Sequence, residues 1–238
     1  MTLKLLAFDT STETLSVAVQ HGDAVFSHSG PGGAQASATL IPAILALLGE
    51  AGLALAGLDA IVFGRGPGSF TGLRTACSVA QGLAFGANVP VLPLDTLLAV
   101  AEDARIRQLA PGQATGQPWL VTAALDARMD EMYVADYSFD SNQWRLDADM
   151  QLIRPENLSL RPGAALAGNV FAAYGTRLPA GAHPRLDALP TAAALLRLAP
   201  AALAAGQALP AAQALPLYIR DKVAKTVAER AAEKLAAS

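Results

Sequence analysis

Short apolar stretches broken by polar turns open the chain, and longer apolar runs with helical spacing follow. "LKLLAFDTS", "TLSVAVQHG" and "AVFSHSG" read as three short strands, the first two bracketing Asp9 to Thr14, which predicts an antiparallel meander. Residues 37–50, "SATLIPAILALLGE", place Leu40, Ile41, Ile44, Leu45, Leu47 and Leu48 at helical spacing around most of the circumference, so this helix must be covered on more than one side. "LDAIVFG" then reads as a buried strand, the stretch from about Ser69 as a helix, "NVPVLPL" as a strand and "DTLLAVAEDARIRQ" as a helix. The predicted order of this half is βββαβαβα.

Three antiparallel strands followed by alternating helices and strands resemble a ribonuclease H-like half-domain, with a mixed sheet and helices on its faces. Residues 109–119, "LAPGQATGQPW", carry no periodicity and are rich in Gly, Pro and Gln, which places a domain boundary there. Beyond it, "WLVTAALDAR", "EMYVADYSF" and "QWRLDA" read as strands and "ALAGNVFAAYG" as a strand and turn. The expected fold class is therefore α/β, with two ribonuclease H-like subdomains of the actin, Hsp70 and sugar kinase type. Residues 1–108 form the first and residues 109–238 a smaller second. The Ala/Leu-rich segment from Thr191 to Pro216 is expected to form packed short helices. A charged helix from about Ala224 ends the chain and is placed to pack back on the first subdomain.

Bulk properties narrow the function. With 53% hydrophobic residues in 238, the chain can bury one large core or two modest ones. A formal charge of -3 gives no broad basic surface, so this chain alone should not grip a nucleic acid by its phosphates. The one cysteine, Cys77, excludes an intramolecular disulfide framework and suits a reducing compartment. The apolar run at the start is too short for a signal sequence and is interrupted by Asp9, and no stretch reaches the length of a membrane span; a cytoplasmic protein is expected.

The densest glycine cluster is "GRGPGSFTGLRTACSVAQGLAFG", residues 64–86, at a strand-to-helix corner. A glycine turn before a helix suits a phosphate. The specific motifs fail, because Gly72 is followed by Leu73 and Arg74 rather than Lys-Ser/Thr, and the GxGxxG register meets Ser69. In the helix itself, Gly72, Ala76, Ala80 and Ala84 recur every fourth residue and form a stripe almost free of side chain, walled by Phe70, Leu73, Cys77 and Val79. Either another subunit's helix approaches there, with Leu40, Ile44 and Leu48 of the first helix completing a bundle, or the stripe packs inside its own sheet domain. Asp9, Thr10 and Ser11 at the first hairpin resemble the phosphate loop of the actin-like superfamily without its usual glycine, although Asp followed by hydroxyls is also an ordinary turn device. Asp126 and Arg128, at a strand end in the second half, could face a cleft or close a local turn, and Asp130 and Glu131 read as a solvated turn. Histidines 21, 28 and 183 are too scattered for HxxxH or HExxH, no serine stands in GxSxG, and no nucleophile has a base nearby in sequence, so no catalytic or metal-ligating residue is assigned.

"FGRGPGSFTGLRTACSVAQGLAFGANVPV", with "LLAFDTST", "LDARMDEMYVA" and the late "PLYIRDKVAKT", resembles the TsaB (YeaZ) family of bacterial tRNA threonylcarbamoyladenosine biosynthesis proteins. The likeness covers the first 135 or so residues and returns near the C-terminus. It implies a non-catalytic partner of a homologous catalytic subunit, TsaD, with the ATPase TsaE joining them. The complex transfers a threonylcarbamoyl group from threonylcarbamoyl-adenylate to adenosine 37 of tRNAs that read codons beginning with A. It also implies pairing through helices of the first subdomain, tRNA met through the complex, and ATP or ADP at the subunit boundary; the apolar, small-residue helix surface is itself expected to form a homodimer when the partner is absent. The catalytic homologue carries an HxxxH metal pair where this chain has Thr96 and Val100, neither of which replaces an imidazole. The alternatives are a stand-alone nucleotide-binding phosphotransferase or ATPase, resting on Asp9 to Thr12, and a metallopeptidase, resting on an old glycoprotease label of the wider family.

Overall fold

The computed structural model describes residues 2–108, 118–181 and 183–220. Its first sheet holds β1 (Lys4–Asp9), β2 (Thr14–His21), β3 (Ala24–Pro31), β4 (Ala60–Gly66) and β5 (Val91–Asp95) in the order β3-β2-β1-β4-β5. The expected meander is present: β1 and β3 both run antiparallel to β2, while β4 lies parallel to β1 and β5 parallel to β4.

Strand periodicity sorts the core. Leu6 and Phe8 of β1 and Ile61 and Phe63 of β4 face one side, where α1 (Ala36–Glu50) and α2 (Phe70–Ala87) cover them. Leu5, Ala7, Ala60 and Val62 face the other, covered by α3 (Thr96–Gln108) and by α5 (Ala192–Ala204). The Ala/Leu-rich segment forms one α-helix of 13 residues with Pro200 inside it, started by Thr191, whose side chain accepts from the Ala194 N–H at 3.2 Å, and then a 3-10 turn at Ala211–Gln213.

The second sheet repeats the first. β6 (Trp119–Asp126), β7 (Met132–Asp140) and β8 (Gln143–Ile153) form an antiparallel meander, and β9 (Ala165–Gly168) and β10 (Arg185–Asp187) add in parallel, giving β10-β9-β6-β7-β8. A helix of four residues, α4 (Phe171–Tyr174), follows β9. Read from its meander edge, the order matches that of the first sheet strand for strand, as the ribonuclease H-like reading requires. Between the sheets lies α3, whose Ala99 packs in the first core while Leu97, Val100, Ala101 and Ala104 pack in the second with Val121, Leu125 and Tyr137.

Past α5 the chain returns along α2. Leu209 and Val91 exchange backbone hydrogen bonds, the Cys77 thiol donates to the Ala214 carbonyl at 3.3 Å, and the Leu217 N–H donates to the Arg65 carbonyl at 2.7 Å. Most of the expected boundary segment and the expected helix from Ala224 lie outside the described residues.

One segment does reach membrane length, against the expectation from sequence. Gly33–Glu50 spans 18 residues at mean hydropathy 1.2, long and apolar enough by composition to cross a membrane. Its inner stripe, Leu40, Ile44, Leu47 and Leu48, is buried in the first core.

Candidate functional site

The glycine corner joins β4 to α2, and what it approaches is the chain's own β1–β2 turn. A Cβ on Gly72 would overlap the Thr10 carbonyl oxygen, one on Gly68 would overlap the Ser11 side chain, and one on Gly64 would overlap the Asp9 carboxylate. The glycines therefore let helix and turn press together. The contact is hydrogen-bonded as well: Thr10 Oγ1 donates to the Gly72 carbonyl at 2.7 Å and the Ser69 N–H donates to the Ser11 carbonyl at 2.8 Å. A donor at the head of α2 that a phosphate would use is already taken by backbone oxygen.

Asp9 lies beneath this contact. Asp9, Thr10 and Ser11 are all buried. Asp9 Oδ1 accepts from the Ser11 N–H at 2.8 Å and the Ser11 hydroxyl at 2.6 Å, and Oδ2 accepts from the Thr96 hydroxyl at 3.4 Å. Burial pushes its carboxyl up to about 6, with the hydrogen bonds from Ser11 and Thr96 pulling the other way. This group is sealed rather than presented to a ligand, which favours the turn device over the phosphate loop at Asp9. Thr96 and Val100, at the positions of the homologue's metal pair, are both fully buried, Thr96 taking the Gly66 N–H at 3.1 Å and Val100 packing in the second core. That donor set does not fit a metal.

Between the two halves lies a cleft of about 250 Å³, reached by Ser11, Glu13, Phe70, Asp126, Arg128 and Arg220. The structure brings Asp126 and Arg128 together here: Asp126 Oδ2 pairs with Arg128 at 3.3 Å, and Oδ1 accepts from the Tyr174 hydroxyl at 2.7 Å and the Arg128 N–H at 2.8 Å. Burial, then the hydrogen bond to Asp126, pushes the Tyr174 phenol up to about 12. Arg128 also reaches across the cleft to Glu13 at 2.8 Å, and this contact with Glu13 leads the causes that raise its own pKa. Arg128, Met129 and Asp130 all sit at positive φ, of 60°, 56° and 61°, a turn that holds the guanidinium over the cleft. Asp130 and Glu131 are not a carboxylate pair, since each has its own arginine, Arg177 and Arg220, at 2.8 and 2.7 Å. Glu13, Asn169, Tyr174 and Arg220 were beyond reach of sequence spacing, because they converge from three separate segments.

The small-residue stripe faces inward. Gly72, Ala76, Ala80 and Ala84 are buried, the three alanines in the first core with Phe8 and Phe63, and Leu73 is 1% exposed. Leu40, Ile44 and Leu48 are buried there too. Of the expected interface residues only Phe70 reaches the surface, 37% exposed, where Arg74 lies over its ring at 3.9 Å and Tyr218 packs against it at 5.3 Å. The stripe is where α2 meets its own sheet, and this corrects its assignment to a partner. The outward faces of the same helices carry other apolar residues: Ile41 and Leu45 on α1, 42% and 55% exposed, and Phe85 on α2, 80% exposed.

Residues 30–237 match the family described as TsaD, tRNA N6-adenosine threonylcarbamoyltransferase. The tRNA threonylcarbamoyladenosine biosynthesis protein TsaB of Haemophilus influenzae is 34% identical over 232 residues, which cover 93% of this chain and 95% of that protein. TsaB of Escherichia coli is 36% identical over 155 residues, covering 65% and 64%. Among solved structures, YeaZ from Pseudomonas aeruginosa is 41% identical with a TM-score of 0.80, covering 91% of this chain and 99% of its own. A second, described as an uncharacterized protein with similarity to peptidase YeaZ from Pseudomonas aeruginosa, is 40% identical with a TM-score of 0.81, covering 92% and 100%.

Proposed function

The chain belongs to the TsaB family of tRNA threonylcarbamoyladenosine biosynthesis proteins, and from that premise we propose that it is a non-catalytic subunit that docks on a TsaD-type homologue. In this reading it supports transfer of the threonylcarbamoyl group to adenosine 37 without contributing a reacting group. The observation that carries the reading is the packed corner, where the Ser11 carbonyl takes the Ser69 N–H at the head of α2 and Asp9 is sealed under Gly64. The docking face is the outward surface of α1 and α2, with Ile41, Leu45, Phe70 and Phe85 as its apolar contacts. An uncovered apolar face on adjacent helices favours a protein partner. The same face would pair two copies of the chain when the homologue is absent, TsaE would join the assembled pair, and tRNA would be met through the complex, in the cytoplasm.

The test is sedimentation velocity of the chain mixed with its TsaD-type homologue. Wild type is expected to co-sediment, and Leu45→Glu to weaken the pair by more than about tenfold, because a carboxylate would be buried without a partner. Co-sedimentation unaffected by Leu45→Glu and Ile41→Glu would remove the docking face.

A second reading, a stand-alone nucleotide phosphotransferase, is favoured by the cleft with Arg128 and Arg220 on its rim. It requires ATP turnover by the lone chain that Arg128→Ala abolishes. A cleft that only holds ATP or ADP at the subunit boundary would show nucleotide binding without turnover.

A further inference from the structure

A second groove, of about 470 Å³, shares no residue with the cleft and lies between α3, α5 and the β7–β8 hairpin. Its floor is apolar, with Leu94, Leu98, Leu198 and Ala202, and Phe139 and Trp144 form an aromatic wall. Its charged side is built on Glu102, whose side chain is 3% exposed. Four N–H groups saturate that carboxylate: Arg105 donates from Nε at 2.8 Å and Nη2 at 2.9 Å, Arg197 from Nε at 2.8 Å, and Trp144 from Nε1 at 3.1 Å. Burial pushes the Glu102 carboxyl up, but the hydrogen bonds from Arg105 and Arg197, the Arg105 charge and the Trp144 bond outweigh it, so it is held below its ordinary value and stays ionised.

Two guanidiniums against one carboxylate leave a single positive charge in excess. The Arg105 guanidinium also lies over the Phe139 ring, at 4.3 Å from its centroid. Arg197 uses only Nε on Glu102, and among the described residues neither of its Nη atoms, nor Arg105 Nη1, meets a protein acceptor. Those N–H groups edge an apolar, aromatic-walled groove, and the amides of Asn142, Gln143 and Gln207 stand on its rim. Fixed guanidinium edges beside an apolar floor are the chemistry that recognises an anionic head on a flat apolar body. The volume falls within the ~300–1,000 Å³ usual for small-molecule sites.

We propose that this groove is a binding site for a small organic carboxylate with an aromatic or apolar body. One excess positive charge matches a monoanion. The carboxylate head lies on the free Nη edge of Arg197 and the body lies between Trp144 and the leucine floor. An extended RNA strand is disfavoured, because Asp140 stands at the hairpin beside the groove and the chain as a whole carries a formal charge of -3.

The test uses the full chain and three probes: 2-naphthoate, its neutral isostere 2-naphthamide, and 1-naphthyl phosphate. Binding is followed on the indole N–H resonance of Trp144, identified by its loss in Trp144→Phe. Naphthoate is expected to shift that resonance saturably, and naphthamide to bind about tenfold more weakly, the loss of a charge-assisted bidentate contact. Arg197→Gln should reduce naphthoate affinity by a similar factor and leave naphthamide unchanged. Ala201→Phe, at an exposed groove position, should block both probes with every charge retained and no dependence on how the ion cluster folds. Absence of a saturable shift at millimolar naphthoate, equal affinity for acid and amide, or indifference to both substitutions would overturn the proposal. Tighter binding of the naphthyl phosphate than of naphthoate would overturn the carboxylate assignment.

Discussion

Asp9 shows how a residue suited to phosphate chemistry becomes structural. Its turn was legible, because Asp followed by Thr and Ser caps a strand end in many settings. Its burial was not, since that depends on three glycines some sixty residues on coming close enough to touch, at Gly64, Gly68 and Gly72. Likewise, the reach of Arg128 to Glu13 needs three consecutive left-handed residues without a glycine among them, which no residue preference announces. The Asp9 environment gives a pH signature. Because burial raises its pKa from 3.8 to about 6, the native state keeps a proton that the unfolded chain has released between those values. The Asp9 contribution is therefore full below the unfolded pKa and falls as pH rises through the folded one, by roughly 3 kcal/mol in all. Asp9→Asn keeps an acceptor for Ser11 and removes the titration. The unfolding free energy of the variant relative to wild type, from urea melts, should rise by about 2–3 kcal/mol between about pH 4 and pH 7.5. A constant difference across that range would show that the carboxyl titrates normally.

At the scale of elements, hydrophobic periodicity carried most of the fold. Each strand and helix expected in the first half is present, because period-2 runs and helical spacing report which side of an element meets a core. β10 escaped notice: "RLD" has three residues, two of them charged, and is a strand only because β9 lies beside it. The stripe on α2 shows where periodicity stops. Its spacing correctly identifies a close helix contact, yet the same pattern serves a sheet of the same chain or a helix of another. The fold resolves this in favour of the sheet, and the consequence is measurable. Ala76→Trp should be destabilising by more than about 3 kcal/mol, since an indole has no room at a fully buried alanine, whereas Leu45→Glu on the exposed side should stay within about 0.5 kcal/mol. Equal melting temperatures for the two variants would contradict the inward placement of the stripe.

For the whole molecule, duplication is the organising fact. Two meander-plus-parallel sheets share α3, the natural place for a cleft in such a pair, and the Arg128–Glu13 bridge across it is exposed on both sides and worth little in water. The deeper couplings run through α5 and the segment 209–217, which return late sequence to the first sheet and to the flank of α2. That return was only partly legible, because an alanine-rich run with internal prolines specifies neither the length of a helix nor the face it seeks. The proposed role rests on this arrangement: the glycine corner packs on the chain's own first hairpin, and apolar residues stand exposed on the outward faces of α1 and α2.

The most direct measurement is threonylcarbamoyl transfer to tRNA in a mixture reconstituted from this chain, its TsaD-type homologue and the other required components. The account predicts that Asp9→Asn and Arg128→Ala support activity within about twofold of wild type, while Leu45→Glu lowers it more than about tenfold at limiting protein, with activity returning as its concentration is raised. Loss of activity in Asp9→Asn and Arg128→Ala, with Leu45→Glu unaffected, would contradict a docking role and place the chemistry in this chain.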